Sequence, residues 1–245
     1  MAKPRHLDHA PIREAIIDIQ VTTADGSMRA VQSLVDSIAG GFSSRIDMWH
    51  NSVGLTIDPS GVASTQTAQS KIGVRLDAPP HVLQVKTTGL TFSRLAPYED
   101  WDQICGEAKK YWDIYQKAVR PSEVTRVAVR YINSMPIPAP LKDFDAYLTC
   151  PPEVPPDLPQ SISSFLQQTV IVDGASNQIA RVTQALEHPP SVSVPMTILL
   201  DIDVMQQKSF DADGPAMWEA LAKLRDFKNR IFFDYITEET AGYFV

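Results

Sequence analysis

The stretch "TRVAVRYINS", Thr125 to Ser134, places two arginines in a segment that otherwise reads as a β-strand. Strand side chains alternate, so Arg126, Ala128, Arg130 and Ile132 point one way, and Val127, Val129 and Tyr131 the other. The two guanidiniums start from Cα atoms roughly 13 Å apart. Arginine's planar fork of donors suits carboxylates and phosphates. The stretch "TILLDIDVM" has the opposite sign. Leu199, Asp201, Asp203 and Met205 share one face, and Ile198, Leu200, Ile202 and Val204 form an apolar face that must meet the core. In the first strand, Glu14 and Asp18 have the same parity as each other.

These residue types support three kinds of chemistry. Cross-strand Arg–Asp or Arg–Glu pairs would form a structural ladder on a solvated face. Alternatively, Arg126 and Arg130 would floor a cleft for an anionic ligand or an acidic partner segment. Tyr131, Asp201 and Asp203 complete that set of candidate ligand-binding residues. In the third reading Asp201 and Asp203 hold Mg²⁺ or Mn²⁺, but a lone D-x-D needs more ligands and no third one stands out.

Other chemistry is missing. The five histidines His6, His9, His50, His81 and His188 do not combine with cysteine at zinc-finger spacing. There is no G-x-S-x-G, P-loop or G-x-G-x-x-G. Cys105 falls near the apolar stripe of a helix and reads as a buried structural thiol; Cys150 has no activating base nearby in sequence. No catalytic residue, metal ligand or cofactor is expected.

The 245-residue chain carries 44% hydrophobic and 21% charged residues, as a globular protein does. Two cysteines imply no disulfide framework and fit a reducing, cytoplasmic setting. A net charge of −7 argues against generic nucleic-acid binding. No apolar run approaches a membrane span, and "MAKPRHLDHAPIREAI" lacks the apolar region of a signal peptide. His6 and His9 fall on what reads as a mobile terminus.

The elements that must position these residues follow from periodicity. "AIIDIQV" alternates as a half-buried strand. Met28, Val31, Leu34, Val35 and Ile38 recur at helical spacing, and Gly40-Gly41 stops that helix. Three strand-like segments follow: "RIDMWHNSVGLTID", "KIGVRLD" and "HVLQVKTTGLTFSRL". Asp100 then caps a long helix whose stripe is Ile104, Ala108, Tyr111, Trp112, Tyr115 and Val119, ended by Pro121. The order restarts with "RVAVRYINSMPI", a short helix candidate "LKDFDAYL" and the strands "FLQQTVIVD", "NQIARVTQAL" and "PMTILLDIDVMQ". Asp213-Gly214-Pro215 opens a last long helix with Met217, Leu221, Leu224, Lys228 and Ile231 along one line. The aromatic end "NRIFFDYITEETAGYFV" is expected to pack down or to make a dimer contact.

The expectation is therefore an α+β protein of two pseudo-repeated β-α-β-β-β-α halves, residues 1–122 and 123–245, mainly antiparallel. The halves can form one continuous unit. The order is similar to that of TATA-binding-protein-like folds, in shape only. Residues 136–160 hold eight of the 19 prolines and form a surface excursion in the second half.

"HAPIREAIIDIQV", "TFSRLAPYEDWDQI", "RVAVRYINSMPIP", "ILLDIDV" and "LRDFKNRIFFDYIT", in that order, resemble the landmarks of a sporadically distributed, uncharacterised bacterial protein family of about this length. The resemblance implies a bacterial, cytoplasmic, stand-alone protein and assigns no activity or site residue. The function expected is non-catalytic binding of a protein partner or a second copy, through the charged sheet face or the proline-rich excursion. The alternative is a small-anion-binding protein or an enzyme with a pocket between the halves. That pocket would turn Arg126 or Arg130 inward beside Tyr131 or Trp49.

Overall fold

The computed structural model describes residues 1–24, 26–57, 61, 63–137, 143–187 and 195–245. His188 and the heart of the "PIPAP" stretch lie outside these residues. The described residues form a nine-stranded sheet in the order β2-β3-β4-β5-β1-β6-β9-β8-β7, with every neighbouring pair antiparallel.

The first strand, β1 (Ile12–Thr22), buries Ala15, Ile17, Ile19 and Val21, as its alternation predicts. Helix α1 (Met28–Ile38) buries Val31, Leu34 and Val35, and a 3₁₀ turn, Ala39–Gly41, follows it. β2 (Ser44–Ile57) and β3 (Ala63–Ala78) make a long hairpin. β3 meets β4 (His81–Lys86) only from Gly73 to Ala78, so the rest of the hairpin stands out as a two-stranded arm. Trp49, Val53 and Leu55 are exposed there.

β4 turns at Thr87-Thr88 into β5 (Gly89–Leu95). The single segment expected over "HVLQVKTTGLTFSRL" is thus two strands, and four strands, not three, follow α1. Gly89 makes the turn at φ +149°, where a Cβ would strike the Ile19 carbonyl oxygen of β1. Helix α2 (Trp101–Val119) starts at Asp100, whose side chain accepts from the Gln103 N–H at 2.8 Å. It ends at Arg120, in the left-handed region just before Pro121.

β6 (Glu123–Pro136) pairs with β1 on one side and with β9 (Thr197–Phe210) on the other. β8 (Gln178–Glu187) and then β7 (Leu166–Asp173) complete that side of the sheet. Of the helix expected over "LKDFDAYL", the described residues form only a 3₁₀ turn at Phe144–Ala146. Tyr147 and Leu148 then bury themselves at the end of helix α3 (Ala216–Tyr235), where Leu148 bridges Ile236. A short helix α4 (Glu238–Gly242), capped by Thr237, closes the chain. Phe232, Phe233, Ile236, Ala241 and Phe244 are all buried, so the aromatic end packs down.

The three long helices cover one face of the sheet: α1 lies over β3 and β4, α2 over β5 and β1, and α3 over β6 and β9. The core is the layer between, where Ile17, Val129, Ile202 and Val204 meet Trp112, Leu221 and Leu224. The N-terminus is held in place. The Ala2 N–H donates to the Phe233 and Ile236 carbonyls at 2.9 Å each, and Leu7 is buried. Two backbone bonds and a buried leucine overcome the polar sequence that suggested a mobile end. Among the described residues no helix is long and apolar enough to cross a membrane.

Candidate functional site

The sheet face turned away from the helices carries most of the predicted site. Because β1, β6 and β9 each give their apolar parity to the core, the other parity brings Asp18, Arg126, Arg130, Asp201 and Asp203 together. Arg130 binds Asp201 through two parallel bonds, Nε to Oδ1 at 2.8 Å and Nη2 to Oδ2 at 2.5 Å. Arg126 crosses the sheet's central pair to donate to Asp18 at 2.6 Å and lies 3.8 Å from Asp203.

The charges continue sideways. Asp18 accepts from the Thr91 hydroxyl at 2.6 Å, and Lys86 approaches both, at 2.9 Å from Thr91 and 3.6 Å from Asp18. On the other flank Arg181 of β8 lies 3.8 Å from Asp203. Cations and carboxylates thus alternate across β4, β1, β6, β9 and β8, with the Thr91 hydroxyl of β5 between Lys86 and Asp18. The hydrogen bonds to Asp201 raise the basicity of Arg130, against the opposing effect of burial. Burial pushes the Asp203 carboxyl up, and Arg126, Arg130 and Arg181 only partly offset it. Among the described residues no group of three His, Cys, Asp or Glu side chains could hold a metal ion. Asp201 and Asp203 face arginines instead.

The face turns apolar at its β7 edge. Leu166, Val170 and Val172 project from the same side as Arg181 and are more than half exposed, at 77%, 54% and 67%. The proline-rich excursion offers a separate hollow of about 1050 Å³, lined by Phe144, Pro151, Val154 and Pro155 among others.

Tyr131 lies on the opposite face, under the helices, and does not join the arginines. Its hydroxyl hydrogen-bonds the Tyr98 hydroxyl at 2.9 Å, with the two rings edge to face. Lys228 of α3 places Nζ 3.7 Å from the centre of the Tyr131 ring. A cavity of about 420 Å³ opens beside these groups, between the N-terminal segment, the start of α2 and α3. Tyr98, Trp101, Asn133, Arg225, Lys228 and Phe232 line it. The cavity takes lining from both the N-terminal and the C-terminal parts of the chain, but Arg225 supplies its arginine, not Arg126 or Arg130, and Trp49 stands far off on β2. Burial, with Arg225 adding repulsion, lowers Lys228 to about 7. Burial also raises Tyr98 and holds Tyr131 well above the usual phenol range.

Two charged residues escaped the sequence reading. Lys228 sat in plain view as the one charged residue on the apolar line of α3, and the line itself was the signal. Arg94 is only 5% exposed, bonded to Glu99 at 2.8 Å and His81 at 3.0 Å beneath α2. It gave no signal, because β5 is buried on both faces and shows no alternation. No protein-family model and no curated protein matches the chain, so the reading of these sites rests on their own geometry.

Proposed function

We propose that the chain is a non-catalytic binding protein that receives a protein partner on its helix-free sheet face. The observation that carries this reading is the lateral pairing of charge on an open surface, with Arg126 held by Asp18 and Arg130 by Asp201. A catalytic cleft would instead turn such groups inward on a shared point. Arg130 remains 44% exposed at its side chain and has donors left beyond those given to Asp201. The exposed Leu166, Val170 and Val172 beside the charges supply apolar contact area.

A second copy of the chain is the other partner in view, and β7 favours it as an edge strand with no further strand beside it among the described residues. Nucleic acid fits poorly: Lys86, Arg126, Arg130 and Arg181 are matched by Glu14, Asp18, Asp201 and Asp203, which leaves no excess of positive charge. The strand order supports an internal pseudo-duplication of the TATA-binding-protein kind. From the central β1–β6 pair it runs outward through β5, β4, β3 and β2 on one side and β9, β8 and β7 on the other. The first half has one more strand and one more long helix, so the correspondence is partial.

The test is native mass spectrometry of the purified chain and of an Arg126→Ala/Arg130→Ala double variant, with thermal unfolding alongside. A partner or dimer that disappears in a folded variant is the expected result. A variant that loses stability alone, with nothing bound to either protein, overturns the reading and leaves the pairs a structural ladder.

A second reading, a small-molecule pocket between the halves, is favoured by one observation. Lys228 lines the cavity, 6% exposed, and among the described residues no carboxylate or hydrogen-bond acceptor pairs with Nζ.

A further inference from the structure

We infer that Lys228 is the reactive amine of a site that takes a small oxo acid, a carbonyl compound bearing a carboxylate, and holds it as an imine. The inference rests on the pocket reading above and names its chemistry.

Lys228 occupies a position that a structural lysine avoids. Its neighbours along the α3 line, Leu221, Leu224 and Ile231, are buried in the core. A lysine at such a place ordinarily runs its head out to water or meets a carboxylate. Among the described residues Lys228 meets no carboxylate, and its Nζ rests on the face of the Tyr131 ring beside the cavity. The carboxylates around the cavity are directed elsewhere. Glu99 binds Arg94 at 2.8 Å, Asp100 caps α2, and Asp8 of the N-terminal segment turns outward to solvent, its side chain 70% exposed. The negative charge that Lys228 lacks is therefore left for a ligand to bring.

Arg225 lies three residues before Lys228 and lines the same cavity, as the i, i+3 spacing on a helix face allows. Its own ion pair is with the adjacent Asp226, at 3.1 Å with both side chains well exposed, and such a pair is weak. Its guanidinium is thus free to turn its fork to a ligand carboxylate. That would leave the ligand's carbonyl toward Lys228. Burial and the nearby Arg225 cation bring the amine to about 7, so a large share of it is the unprotonated nucleophile at neutral pH. A cavity of about 420 Å³ suits a small metabolite.

The step balances without an oxidant or reductant. The Nζ lone pair attacks the carbonyl carbon, and the C–N bond forms as the C=O π bond opens. The nitrogen gives up two protons and the carbonyl its oxygen, which leave together as one water. The carbinolamine thereby becomes a C=N bond. Tyr98, on the cavity wall and hydrogen-bonded to Tyr131, is a neutral phenol that can lend the departing oxygen its proton and regain one from nitrogen.

The experiment uses glyoxylate as the probe and cyanoborohydride to trap the imine, read by intact mass and peptide mapping at neutral pH. One carboxymethyl adduct on Lys228, formed at a glyoxylate concentration that leaves the surface lysines unlabelled, is expected. It should vanish in Lys228→Met and fall about tenfold in Arg225→Met, which removes the carboxylate anchor. Circular dichroism checks that both variants are folded. Glycolate, which has the acid but no carbonyl, is run in parallel by NMR titration. If glycolate binds the cavity while Lys228 labels no faster than surface lysines, the pocket reading stands and the imine inference is overturned. If glycolate fails to bind and Lys228 stays unlabelled, both fall.

Discussion

Arg130 stands directly across the β6–β9 ladder from Asp203, yet its guanidinium closes on Asp201, two positions along, in a two-bond clasp. Asp203 is left between Arg126 and Arg181, each 3.8 Å away. The diagonal choice gives the two arginines different weights. Arg130 is the more exposed, so Arg130→Ala should cost no more than about 1 kcal/mol. Arg126→Ala removes the direct arginine partner of Asp18 and one of the two arginines beside Asp203, both aspartates below one-fifth exposed, and should cost about 2 kcal/mol. Urea denaturation of the two single variants and a cycle with Asp201→Ala checks the ranking. Equal costs would mean that burial does not set these energies.

The two aspartates of β9 should also respond in opposite directions. Burial holds Asp203 above the ordinary aspartate value, so its ionised form opposes folding. That penalty is present above the raised folded value and disappears as pH falls to the unfolded one. Asp203→Asn should therefore be neutral or stabilising at pH 7, with the advantage shrinking in acid. Asp201→Asn, which weakens the Arg130 clasp, should destabilise by about 1 kcal/mol. Melting temperatures from pH 7 down to about 4 separate the two.

Lys228→Met should stabilise the protein at neutral pH, since it replaces a buried, unpaired amine by an apolar chain of similar length. In the unfolded chain lysine keeps its proton to about 10.4, whereas in the folded protein Lys228 loses it near 7. Between these values the unfolded state binds more protons, so wild-type stability rises with pH. The gap to Lys228→Met should narrow by at most about 1.4 kcal/mol per pH unit across that window. Tyr98 and Tyr131, the phenols nearest, are raised by burial in both proteins and so leave the difference intact. A gap independent of pH would place the charge elsewhere.

Gly89→Ala tests the turn that splits β4 from β5. The φ of +149° and the nearby Ile19 carbonyl leave no room for a Cβ. A loss of about 2–3 kcal/mol is expected in chemical denaturation. By contrast, Gly54→Ala, in the exposed arm and with only the Gln66 carbonyl at ordinary contact distance, should change stability by less than about 0.5 kcal/mol.

What was readable beforehand follows from what each strand touches. "TILLDIDVM" has one face in the core and one open, so its alternation gave both the core residues and the placement of Asp201 and Asp203 on the other side. "GLTFSRL" is buried on both faces, so it lost its period, merged with β4 in the reading and hid Arg94. Parity sets Tyr131 against Arg126 and Arg130, and the fold keeps it apart from them, beneath the helices with Tyr98. Lys228 reads as a member of a packing stripe, because helical spacing says which residues face inward and not what one polar member of the line will meet there. The docking of the N-terminus depends on backbone bonds from Ala2, which carry no side-chain signature.

The central position of β1 has a consequence for synthesis. The strand is made before the other eight described strands, yet its two sheet neighbours are β5, about 70 residues later, and β6, more than 100 residues later. Once residues up to the end of α2 have emerged, β1 can pair with β5 but still offers its other backbone edge, with Ile17 and Ile19 on its core face. That edge is closed only by β6, whose own core face is covered only when α3 has emerged. The nascent chain therefore passes through an interval in which an open apolar edge, suited to pairing with the wrong strand, awaits its own second half.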